Sequence, residues 1–159
     1  MVVTNRKLDL KTYNKKIGYI PLSLKMFYKI VGSCNFAWDY DENPSIPWEG
    51  ADPIQITPVT DLLSELTDLS EEDDDFIQLT VSAGYLHKDN ISGGLPYCVE
   101  ITPSPSIDGL FLNEDHDKTF IDYLRLTMEN CGFSNADACM DIDDFVRFQE
   151  SVRPKLYNI

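Results

Sequence analysis

Histidine is almost absent from this chain: His87 and His116 are the only two in 159 residues. There is no Gly-x-Ser-x-Gly elbow, no P-loop, no Rossmann glycine pattern and no His-Glu-x-x-His, so none of the common signatures of hydrolytic, nucleotide or zinc-protease chemistry is present. Ser92-Gly93-Gly94 is not followed by Gly-Lys-Ser/Thr and does not make a phosphate loop. The four cysteines, Cys34, Cys98, Cys131 and Cys139, show no Cys-x-x-Cys spacing and read as buried free thiols, not as disulfides or zinc ligands. No apolar run reaches the roughly 18 residues that a membrane-spanning helix needs. The N-terminus has no apolar signal core, which gives the expectation of a cytoplasmic chain. The chain starts close to its first predicted helix, which suggests a missing earlier segment.

Basic residues are also scarce. Lys and Arg number 13 against 27 Asp and Glu, a net charge of −14. Residues 1–30 run against that trend, with seven basic residues against Asp9, a net +6. The other 129 residues hold six basic and twenty-six acidic residues, a net −20. Such a surface repels nucleic acid. It attracts a basic protein and speeds encounter with it at low salt, or it serves solubility alone.

What is there is α+β in pattern, and the length suits a single domain spanning 1–159. Helical spacing runs through Arg6 to Lys16, with Leu10, Tyr13 and Ile17 on one side. Pro21 stands at a first helical position, followed by Leu24, Phe27, Tyr28 and Val31 and closed by Gly32. Phe36, Trp38 and Tyr40 alternate and predict a strand over Asn35 to Asp41. A loop rich in Asp, Glu, Asn, Pro and Gly follows to Asp52. Ile54 to Ile56 reads as a short strand. Pro58 and Thr60 then open a helix with Val59, Leu62, Leu63, Leu66 and Leu69 on one face.

From Ile77 to Leu86 the alternation predicts another strand. Tyr97 to Ile101 and Gly109 to Leu112 predict a hairpin across a turn with two prolines. The best-punctuated helix runs from Asp117, as N-cap, to Cys131. Its face is Phe120, Leu124, Thr127 and Met128, bordered by Tyr123, and Gly132 ends it. Asp141 is the expected cap of a last helix carrying Phe145, Phe148 and Val152, which Pro154 ends.

Few residues stand out as candidate sites. Glu71, Glu72, Asp73, Asp74 and Asp75 are five consecutive carboxylates. They read as a solvated turn or as the landing site of a basic partner, and they lack the Gly and spacing of a calcium loop. Trp48 either folds over the core edge or anchors a partner. His116 lies among Glu114, Asp115 and Asp117, but neighbours at a helix start point in different directions and rarely converge on a metal. A metal-dependent enzyme would have to use Glu114, Asp115 and His116, or Asp141, Asp143 and Asp144. Neither catalytic residues nor a metal or cofactor is expected.

Ile20-Pro21-Leu22-Ser23-Leu24-Lys25-Met26-Phe27-Tyr28-Lys29-Ile30-Val31-Gly32 resembles the Leu-Pro-x-x-Leu-x-x-Phe-Tyr-x-x-x-Gly helix of the SUKH superfamily, bacterial relatives of a yeast cell-wall-assembly regulator. Leu86 to Tyr97, Phe111 to Glu114, Thr119 to Arg125 and Gly132-Phe133 are similar to one bacterial branch, in the same order. The resemblance implies a largely antiparallel mixed sheet with helices packed on it. It also implies a non-enzymatic role: immunity proteins that neutralise a toxin, often a nuclease, or regulatory and scaffold proteins. With it goes the expectation of a monomer that binds a protein partner.

Overall fold

The computed structural model describes residues 18–39, 42, 48–68 and 78–156. The predicted helix over Arg6 to Lys16, Tyr40, most of the acidic loop and the run Glu71 to Asp75 lie outside the described residues. The class is α+β. Among the described residues, five α-helices accompany two small antiparallel sheets: α1 Leu22–Ile30, β1 Cys34–Asn35, β2 Gln55–Ile56, α2 Val59–Asp68, β3 Gln78–Ser82, α3 Tyr85–Lys88, β4 Tyr97–Glu100, β5 Phe111–Leu112, α4 Phe120–Glu129 and α5 Asp143–Leu156. A 3-10 turn, Ala136–Cys139, precedes α5. Among the described residues no helix is long and apolar enough to cross a membrane.

β3, β4 and β5 form the larger sheet, with Leu79 opposite Val99 and Val99 opposite Phe111. An irregularity between Thr80 and Ser82 turns both Val81 and Ser82 inward. β1 and β2 make the second pair. Every strand pairing among the described residues is antiparallel, so the sheet implied by the resemblance is found as two separate antiparallel pieces, not one mixed sheet.

The main core gathers Leu24 and Tyr28 from α1, Leu62 from α2, Leu79, Val81 and Val99 from the sheet, and Phe120 and Tyr123 from α4. Each fully buried large apolar side chain contributes roughly 1.5–3 kcal/mol. A smaller core collects Ala51, Phe133, Ala136, Cys139 and Phe145.

Between the two cores runs a buried seam. Residues 51–54 lie antiparallel to 132–135, through Ile54 N–H to Gly132 O at 2.7 Å, Ser134 N–H to Asp52 O at 3.0 Å and Asn135 N–H to Ala51 O at 3.1 Å. The short irregular ladder satisfies backbone groups that neither sheet could pair.

Several expected boundaries shift. Thr119, not Asp117, caps α4: its hydroxyl accepts the Asp122 N–H, while Asp117 sits at φ 51° outside the helix. Tyr123 lies in the centre of the buried face and Met128 is exposed. Ile142, not Asp141, stands at the head of α5, its carbonyl accepting from Phe145 and Val146. Pro154 falls inside the last turn of α5 and does not end it. Pro21 is the N-cap of α1, not its first helical residue, and Val31 is exposed.

Leu86 belongs to α3, because the chain turns at Gly84 after β3 ends at Ser82. Only Cys34 and Asn35 form the strand predicted over Asn35 to Asp41.

Phe36 explains that last difference. Its ring lies against Gly132, half exposed at 51%, at a place where a Cβ would collide with its edge. Gly132 also holds φ 106°, a region that side chains avoid. Gly132→Ala is expected to cost about 1–3 kcal/mol in chemical denaturation. In a Phe36→Ala background the steric part disappears and the cost falls to the backbone part alone. Equal costs in both backgrounds would contradict this packing.

Candidate functional site

The polar chemistry of the molecule is concentrated on the seam. Asp52 stands at φ 52°, a conformation that short polar side chains tolerate better than others. Its side chain points inward. Lys88, at the end of α3, donates to Asp52 Oδ1 at 2.7 Å; the two side chains are 0% and 5% exposed. Tyr97 donates to Asp52 Oδ2 at 2.9 Å, and the Ser134 hydroxyl donates to the same oxygen. The Lys88 ammonium also lies 4.5 Å from the centre of the Tyr97 ring. Asp52 thereby holds three donors from three separate segments.

Two further carboxylates act on the same ammonium. Asp89 accepts the Gly50 N–H at 2.8 Å. Buried Glu114 accepts the His116 N–H at 2.9 Å and also pairs with His116 Nδ1. Burial pulls the Lys88 ammonium below its ordinary value, opposed chiefly by Asp52 and then by Asp89 and Glu114. The Tyr97 phenol is pushed far up, first by burial and then by Asp52. Tyr123, beside Ser134, is raised by burial, then by Asp52 and Glu114. Burial also raises the thiols of Cys34 and Cys139, the reverse of what an activated nucleophile requires.

Outside α3 an open cleft of about 430 Å³ is bordered by Trp38 and by polar Asn35, Asp39, Gln55, His87 and Asn90. His87 is exposed there on a short helix, not at the strand end expected of it. Lys88 reaches the wall of this cleft, yet its ammonium is committed inward to Asp52. The arrangement fastens the seam.

Of the residues singled out from sequence, Trp48 is half-buried. Its ring contacts Phe145 and Phe148 at 5.2 Å each, Phe133 at 5.8 Å and Trp38 at 6.1 Å between centroids, on the edge of the smaller core. Glu114 and His116 do meet, as a local clamp two residues long, while Asp115 is exposed. Asp143 and Asp144 are exposed and face Arg147 at 3.9 and 3.8 Å. Among the described residues no group of three His, Cys, Asp or Glu could hold a metal ion. The four cysteines are free.

Asp52, Lys88, Tyr97 and Ser134 were not legible as a group. One more carboxylate in an acidic loop carries no signal, and a lysine between a histidine and an aspartate reads as solvent-exposed. No family model, no curated protein and no solved structure matches the chain.

Proposed function

We propose that this chain is a non-enzymatic protein-binding module of the SUKH superfamily, of the immunity type, which neutralises a basic toxin domain in the cytoplasm. The observation that carries the reading is the charge distribution: −20 over residues 31–159, against a basic first thirty residues. Exposed Glu49, Asp137, Asp141, Asp143 and Asp144 add to the run Glu71–Asp75. A basic nuclease domain is attracted to such a surface at long range, and the same surface rejects nucleic acid. The seam network supports the reading because its polar groups are spent on one another, as in a rigid scaffold.

The test uses the basic C-terminal domain of a toxin encoded beside this chain. Association is expected to slow by about tenfold or more as salt rises from low to several times physiological strength. Changing Glu71, Glu72, Asp73, Asp74 and Asp75 to lysine is expected to slow low-salt association by a similar factor. An unchanged rate removes that run as the docking site. If the domain does not bind at all and wall or signalling proteins are captured instead, the regulatory or scaffold role of the same fold takes its place.

A further inference from the structure

Helix α1 is apolar on both sides. Leu24 and Tyr28 face the core, while Leu22, Met26 and Ile30, four residues apart, form an exposed stripe; Ile30 is 73% exposed. An exposed apolar stripe of this kind marks a contact surface. Ile107, 75% exposed, extends the stripe at its N-terminal end, held there by the Ser23 N–H to Ile107 O bond of 2.9 Å. Beside it opens an apolar hollow of about 340 Å³ bordered by Tyr19, Leu22, Lys25, Pro105 and Ile107. The ends of α1 also differ in charge. Lys29 is exposed at the C-terminal end. At the N-terminal end lies Asp108, which accepts from the Ser23 hydroxyl at 2.6 Å and from the Ile121 N–H at 3.1 Å.

We infer that the occupant of this face is a second copy of the chain, with α1 packed antiparallel on its symmetry mate. A twofold axis near Met26 places Ile30 of each copy over Leu22 and the hollow of the other, because residues four before and four after the axis lie opposite one another. The same rotation brings Lys29 of each copy to the end of the helix where the mate carries Asp108. Apolar side fits hollow and Lys29 meets Asp108, twice over, which offsets the repulsion of the two Lys25 ammoniums that the same axis brings to the interface. The other candidates match less well. Residues 1–17 bring Arg6, Lys7, Lys11, Lys15 and Lys16 towards Lys25 and Lys29, and a basic toxin domain meets the same repulsion. The dimer does not depend on the immunity reading.

Sedimentation velocity on the full chain tests this over a wide concentration range. The expected result is a concentration-dependent shift from 18.1 kDa to twice that mass. Ile30→Glu and Met26→Glu are expected to weaken dimerisation by about a hundredfold, because each buries a charge in an apolar contact. Circular dichroism is expected to stay unchanged, since both side chains point outward. Lys29→Met and Asp108→Asn should each weaken it by several-fold, and together by no more than the stronger of the two, as partners in one pair do. A single 18.1 kDa species at every concentration overturns the proposal, and so does a dimer that Ile30→Glu leaves intact.

Discussion

Asp52→Ala is expected to be the most damaging single substitution in this protein, at about 3–5 kcal/mol, because it leaves a buried ammonium with its closest counter-charge removed. Lys88 cannot reach water from its position: its side chain is 0% exposed. Tyr97 and Ser134 lose their acceptor at the same time. Alanine must also hold φ 52° without the local polar contacts that ease that conformation for aspartate. Against a total stability of roughly 5–15 kcal/mol, this is a large share.

Asp52→Asn keeps the shape and the acceptor for Tyr97 and Ser134 but removes the charge, and should fall between alanine and wild type. Lys88→Met alone strands the carboxylate. Combining it with Asp52→Asn removes both charges and recovers much of the loss, with a coupling of about 2–3 kcal/mol in the cycle. Thermal denaturation is expected to show a fall of about 10 °C or more for Asp52→Ala. A melting point near that of the wild type would mean that the network contributes nothing net.

The second large effect is alkaline unfolding. Burial, reinforced by Asp52, raises the phenols of Tyr97 and Tyr123. The folded protein therefore keeps two protons that the unfolded chain releases above about pH 10. Stability from this source is complete below that pH and is lost as pH rises, by up to about 1.4 kcal/mol per pH unit for each tyrosine. Lys88 works in the opposite direction: its ammonium is lowered in the fold, so the unfolded chain binds more protons as pH approaches about 10.4, and stability gains slightly there. Beyond that window the two tyrosines alone give a slope of about 2.7 kcal/mol per unit, and the raised thiols of Cys34 and Cys139 act in the same direction.

Urea unfolding from pH 8 to 11.5 measures it. Tyr123→Phe and Tyr97→Phe should each lower the slope by up to about 1.4 kcal/mol per unit. Tyr97→Phe also lowers the plateau by about 1–2 kcal/mol, through its lost bond to the carboxylate. Slopes that neither variant changes would place the responsible groups elsewhere.

These two expectations concern residues that no local pattern marks, whereas most helices were readable. α1, α2 and α4 carry their apolar residues at helical spacing, and period is a local property. The hairpin of β4 and β5 was readable for the same reason, being bounded by prolines. Asp117 precedes an apolar face and so predicts a cap, but the chain uses two more residues to pair Leu110 with Thr119 before the helix starts. Phe36 and Trp38 alternate without making a strand, because each found a better partner far along the chain: Gly132 for the first, Trp48 and Phe133 for the second. The candidate site was the least legible part. Asp52 meets Lys88 across 36 residues and Ser134 across 82, and spacing carries no information at that range.

The seam has a consequence for the birth of the molecule. Asp52 leaves the ribosome 82 residues ahead of the serine that completes its shell. At roughly 5–20 residues per second, that is about 4–16 s during which Asp52 waits for Gly132 to Asn135, with Lys88 joining it partway. The nascent chain can collapse around its first helices in that time, but it cannot close. Truncations before residue 135 are therefore expected to behave as chaperone clients, not as smaller folded domains.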